Sequence, residues 1–176
     1  MNVKALIRTV PDFPKPGIRF RDITPLLADP RGLATVTAAL VERYRGRIDK
    51  VAAIDARGFI FGAPLAAALE VGFVPMRKPG KLPHQAIGHD YALEYGTNRV
   101  EVHVDGVAAG ERVVVVDDLL ATGGTAGAAL ALLARVGATV VECAFVIELT
   151  DLGGRAKLEG AGAAVFALCG FGDDEG

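Results

Sequence analysis

The sequence predicts an α/β protein: an open, mostly parallel, twisted sheet with helices on both faces. Short all-apolar runs alternate with segments of helical periodicity, as in repeated strand–helix–strand units. Residues 112–116 include four consecutive valines, a run typical of a strand buried on both faces. Residues 125–136 are apolar nearly all round, so that helix too is expected to be buried.

The elements follow in chain order. Residues 11–25 carry Pro11, Pro14, Pro16 and Pro25 and are expected to form an ordered, extended loop. Asp29-Pro30 is expected to open a helix, with Asp as cap and Pro at the first helical position. Leu33, Val36, Leu40, Val41 and Tyr44 recur at helical spacing, and Gly46 suits the exit. Residues 51–54 read as a strand, 55–58 as a polar turn, 59–70 as a helix and 72–76 as a second strand. Further strands are expected at 112–116, 139–149 and 163–168. The interval 80–111 breaks the alternation: it is polar, holds His84, His89 and His103 without metal-ligand spacing, and ends in a half-exposed hairpin strand around Val100, Val102 and Val104. A long polar excursion inside a compact domain suits a lid over a site.

At 176 residues one domain, 1–176, is expected. A chain of this size buries roughly 70% of its unfolded surface and needs no metal or disulfide for a core. The 19 basic and 21 acidic residues leave a net charge of −2, which argues against a general nucleic-acid or membrane-surface binder. Cys143 and Cys169 stand far apart and read as reduced thiols. The start, MNVKALIRTV, has no apolar run of a signal peptide, and no stretch reaches the ~20 apolar residues of a membrane span. A cytoplasmic protein is expected.

The chemistry concentrates in VVVVDDLLATGGT, residues 113–125. Ligands of open α/β sheets bind beyond the carboxyl ends of strands. Here Asp117 and Asp118 are expected just past a strand, followed by Gly123 and Gly124 and a helix start. The glycines permit positive φ and close approach of the backbone. Amide hydrogens of the first helical turn, with the Thr122 and Thr125 hydroxyls, make an anion cradle suited to phosphate. Carboxylates beside a phosphate loop repel phosphate, so Asp117 and Asp118 suit hydroxyls of a sugar. The expected ligand is a sugar phosphate, with its phosphate on Ala121, Thr122, Gly123, Gly124 and Thr125. Neither the G-x-x-x-x-G-K-[ST] nor the G-x-G-x-x-G pattern is present, which leaves a sugar-phosphate kinase without an ATP loop.

This segment resembles the phosphoribosyl-pyrophosphate (PRPP) signature of the type I phosphoribosyltransferases, and its DDLLATGGT form resembles their adenine-using branch. DFPKPG with FRDI, ARGF, RKPGKLP and LEYG extend the resemblance over nearly the whole chain. It implies the type I fold, with an N-terminal hood of about residues 1–28 and a flexible hairpin lid of about 80–105. It further implies purine salvage: transfer of a 5-phosphoribosyl group from PRPP to adenine, giving AMP and pyrophosphate, with Mg²⁺ held mainly through the donor's pyrophosphate and ribose hydroxyls rather than by a strong protein ligand. Arg57, Arg77, Lys78 and Lys81 are then the cations for pyrophosphate, Arg77 reaching across a homodimer interface. Asp117 and Asp118 hold the ribose, and Glu94, Arg57 and Asp118 form the catalytic set, with Glu94 near N7 of the base and Tyr95 beside it on the lid. Arg19, Phe20, Arg21 and Leu149 surround adenine. The sequence departs from relatives at Arg19, where they carry an aliphatic residue. A buried unpaired guanidinium is costly, so this side chain is expected to face solvent.

Two other classes compete. A sister enzyme using hypoxanthine, guanine or orotate would keep the phosphate loop but change the base-contacting blocks. A PRPP-binding transcriptional regulator would need a DNA-binding module or a basic surface.

Overall fold

The computed structural model describes residues 1–92 and 97–172. Its centre is a five-stranded, all-parallel sheet in the order β4-β3-β7-β8-β9. These strands are β3 (Lys50–Ile54), β4 (Gly72–Met76), β7 (Arg112–Leu120), β8 (Thr139–Leu149) and β9 (Val165–Phe171). Side-chain alternation divides each strand between two cores. Ala52, Ile54, Val113 and Val115 face one core, under helix α4 (Gly124–Arg135) and helix α5 (Gly154–Gly160). Val51, Ala53, Val114 and Val116 face the other, under helix α2 (Gly32–Tyr44) and helix α3 (Arg57–Leu69). Gly62 lets α3 lie close on the sheet, since a Cβ there would meet that of Ala53 at 2.6 Å.

Two antiparallel pairs flank the sheet. Strands β1 (Arg8–Pro11) and β2 (Arg19–Asp22) pair across the proline-rich loop, and β5 (Ala86–Ala92) pairs with β6 (Thr97–His103) as the expected hairpin. Reciprocal backbone bonds between Arg77 and Glu101, at 2.9 and 2.7 Å, tie the hairpin to the end of β4.

Several boundaries differ from expectation. The 11–25 segment is extended only in part: the short helix α1 (Thr24–Ala28) starts there with Pro25 in its first turn. Asp22 accepts bonds from the Thr24 amide and hydroxyl, both 2.8 Å, and so favours the turn. Asp29 accepts from the Arg31 amide at 2.7 Å, and α2 begins at Gly32 rather than Pro30. Glycine is required there because a Cβ would meet the Leu26 carbonyl oxygen at 2.0 Å. Arg57 opens α3 instead of sitting in a turn. Strand β7 continues to Leu120, four residues past the valines, because Leu119 and Leu120 keep pairing with β8. The last strand runs 165–171, and α5 was not foreseen. No helix among the described residues is long and apolar enough to cross a membrane.

Candidate active site

Chain order reverses between β3 and β7: β3 leads outward to β4, while β7 leads the other way to β8 and β9. Such a switch point leaves a crevice at the carboxyl ends of the two central strands. The chemistry-bearing residues gather at this end of the sheet. Asp55 and Arg57 follow β3, Arg77 to Lys81 follow β4, Asp117 to Thr125 end β7, Leu149 and Asp151 end β8, and Phe171 ends β9.

A cavity of about 210 Å³ occupies the crevice, lined by residues 117–126 with Arg57 and Phe145. Arg57 Nε donates to Asp118 Oδ2 across the switch point. Asp118 is nearly buried, whereas the Arg57 side chain is half exposed. Because β7 runs on, both carboxylates lie within the strand rather than beyond it. Asp117 Oδ1 accepts from the Asp118 amide at 2.8 Å. Its carboxyl is raised well above the ordinary 3.8, first by burial and then by the adjacent Asp118 charge. Gly58 permits this closeness, since a Cβ there would meet Val116 O at 2.7 Å and Asp117 Oδ1 at 3.1 Å.

The loop at residues 121–125, expected to cradle a phosphate, turns into α4 through one of its two glycines. Gly123 takes positive φ, +74°, as the residue before α4. Gly124 does not; it is confined instead by the Tyr91 ring, whose Cδ2 would lie 3.4 Å from an added Cβ. The early amides of α4 have no partners within the helix and open onto the cavity.

A second, larger cleft of about 570 Å³ is lined by Gly17, Ile18, Arg19, Arg21, Leu149, Asp151, Leu152, Phe171 and Gly172. Three of the residues expected around the base, Arg19, Arg21 and Leu149, are here. Arg19 is exposed. Arg21 is buried, bonds Thr9 Oγ1 and lies 4.3 Å over the Phe171 ring. Phe20 is not in the lining; it meets Phe13 edge-on at 5.2 Å, since neighbours on a strand point to opposite faces. Phe171, Asp151 and Leu152 escaped the sequence reading. Carrying the last strand on to Phe171 would have placed that ring at the carboxyl end, where ligands bind.

Arg77 Nε donates to Asp55 Oδ2 at 2.9 Å and its Nη1 to Lys81 O at 3.2 Å. Lys78 and Lys81 are exposed. Glu94 and Tyr95 lie outside the described residues. His84 and His103 pack edge-to-face at 6.1 Å and, among the described residues, no cluster of three or more His, Cys, Asp or Glu could hold a metal. Both cysteines are free, and burial pushes the Cys143 thiol up to about 12 and that of Cys169 to about 11.

The chain is similar to known proteins over nearly its whole length. The chain is similar to the adenine phosphoribosyltransferase of Methylobacillus flagellatus, 60% identical over 176 residues, 99% of this chain and 100% of that one. The crystal structure of the adenine phosphoribosyltransferase of Thermoanaerobacter pseudethanolicus superposes with a TM-score of 0.91 at 50% identity, covering 96% of this chain and 98% of that one. The Trypanosoma brucei adenine phosphoribosyl transferase, solved in complex with AMP, pyrophosphate and ribose-5-phosphate, gives a TM-score of 0.88 at 28% identity, over 98% and 81% of the two chains. A sequence model of the phosphoribosyl transferase domain matches residues 23–162, and the chain belongs to that family.

Proposed function

We propose that this protein transfers the 5-phosphoribosyl group of PRPP to N9 of adenine, releasing pyrophosphate and forming AMP. The supporting observation is that two cavities open at the carboxyl end of one sheet: one at the switch point, lined by carboxylates and the 121–125 loop, and one at the ends of β8 and β9, large enough for a base. The T. brucei relative's complex with AMP and pyrophosphate favours the same assignment.

The 5-phosphate rests on residues 121–125 and the ribose hydroxyls donate to Asp117 and Asp118. The C1–O bond to pyrophosphate breaks with its electron pair leaving on oxygen, and N9 bonds to C1 as it gives up its proton. Arg57, with Arg77, Lys78 and Lys81, meets the charge that develops on the leaving group. Arg77 does so across a homodimer interface by exchanging its Asp55 partner for pyrophosphate. Glu94 at N7 helps the base shed charge, and the lid carrying Glu94 and Tyr95 excludes water. Arg19, Arg21 and Leu149 frame the base, with Phe20 behind them. Mg²⁺ neutralises the pyrophosphate when bound. The donor set would suit a cation held mostly by substrate oxygens, because Asp118 already serves Arg57 and, among the described residues, no cluster of three or more His, Cys, Asp or Glu could hold a metal. Salvage of free adenine in the cytoplasm is the setting this reaction fits.

The test supplies PRPP and Mg²⁺ with adenine, hypoxanthine, guanine or orotate separately. AMP from adenine alone is expected; product from another base without AMP would move the protein to a sister activity.

A further inference from the structure

The hairpin strand β5 runs along α4, whose first turn carries the phosphate loop. Near its base Arg135 Nη1 of α4 donates to Gly88 O at 2.9 Å. At its far end the half-buried Tyr91 lays its ring against Gly124, and its hydroxyl lies 3.2 Å from Thr125 Oγ1. A tyrosine on a different element therefore touches the phosphate loop twice, once through its ring and once through its hydroxyl.

We infer that Tyr91 is a positioning residue for the 5-phosphate: its hydroxyl donates to Thr125 Oγ1 and so turns Thr125's single proton onto a phosphate oxygen. The inference rests on the phosphate reading of residues 121–125. A phosphate dianion accepts hydrogen bonds, and a threonine hydroxyl has one proton to give. If that proton goes to phosphate, Thr125 must accept from another donor. Tyr91 holds the hydroxyl in reach. The bond drawn here has Thr125 donating to Tyr91. At 3.2 Å it exceeds the usual O–H···O length of about 2.7–2.8 Å, so reversing its direction costs little. The ring packs on Gly124, where an added Cβ would lie 3.4 Å from Tyr91 Cδ2, in ordinary van der Waals contact.

Tyr91→Phe keeps the ring and removes the hydroxyl. Calorimetric titration with AMP and with adenosine separates phosphate recognition from the rest of the site. Tyr91→Phe is expected to weaken AMP roughly tenfold, the worth of one hydrogen bond to a charged group, and to leave adenosine unchanged. The KM for PRPP should rise by a similar factor with kcat nearly constant. Because Tyr91 acts through Thr125, the double variant with Thr125→Ala should bind AMP no more weakly than Thr125→Ala alone. Equal weakening of both ligands, no weakening of AMP, or additive losses in the double variant would overturn the role of Tyr91 alone. If the unsubstituted protein bound AMP and adenosine equally, the phosphate reading would fail and this inference with it.

Discussion

The α-carbon of Gly154 abuts the carbonyl oxygen of Ala121: a methyl group on that carbon would stand 2.1 Å from the oxygen. Gly154 opens α5, and Ala121 opens the phosphate loop. The same segment backs Gly123, where an added Cβ would meet Gly154 O at 3.0 Å. The loop is thus braced from behind by a helix start with no room for a side chain at residue 154. Arg155 fixes that brace, through Glu148 and through the Val165 carbonyl at 2.8 Å.

Gly154→Ala should therefore displace the loop rather than the base cleft. A displacement near 1 Å costs about 10²-fold in rate, and the loss should appear in kcat/KM for PRPP. Steady-state kinetics with the donor varied will measure it.

Asp118→Asn should spare stability while damaging donor use. Arg57 is half exposed and is hydrated once its partner is neutral, and repulsion between Asp118 and Asp117 disappears. The stability change should stay within about 1 kcal/mol. Loss of a charged hydrogen-bond acceptor for ribose should lower kcat/KM for PRPP roughly 10- to 100-fold. Denaturant unfolding and donor kinetics on one preparation test both halves.

Asp117 makes stability pH-dependent in a defined direction. Its folded carboxyl holds a proton more tightly than the unfolded chain, whose value is the ordinary 3.8. The folded state then binds more protons between the two values, so this contribution is present below 3.8 and is lost as pH rises through the folded value. Asp117→Asn should accordingly raise the unfolding midpoint at neutral pH, with the gain vanishing below pH 3.8. A gain that grew on acidification would contradict the assignment.

Tyr44 offers a control far from the crevice. Its hydroxyl, buried with its ring, donates to Glu142 Oε2 at 2.6 Å, and Arg43 donates to the same carboxylate at 2.5 and 2.7 Å. Glu142 lies towards the start of β8, opposite the end that carries the site. Tyr44→Phe should cost roughly 1.5–3 kcal/mol of stability and leave KM and kcat unchanged at a temperature where the variant is folded.

If Glu94 acts on the base as N9 attacks, as proposed, Glu94→Gln should lower kcat more than it weakens PRPP binding. A positioned acid or base supplies about 10²- to 10⁴-fold. Single-turnover measurement of AMP formation will separate this step from product release.

Reading the sequence located the central strands well because their cue is local. A run such as Val113 to Val116 must be shielded on both faces wherever it lies. Thr139–Leu149 is legible to the residue for the same reason, and Gly72–Met76 matches its expected bounds although it is an edge strand. Ends were harder. Whether β7 stops at Val116 or runs to Leu120 depends on β8 continuing alongside, and that partner is not a sequence neighbour.

What the sequence determined by itself was the class of fold and the segment in which a ligand site is to be sought. Burial pattern, glycine placement and the residue types of 117–125 are properties of the chain. Only the tertiary structure decided which groups meet: Arg57 with Asp118, Arg77 with Asp55, Tyr91 with Thr125, Gly154 with Ala121, and Arg21 with Phe171. Each contact joins residues that are apart in the sequence and meet only when the chain folds. Hydrogen bonds and packing act over a few ångströms whatever the separation along the chain, so no local pattern could have named those pairs.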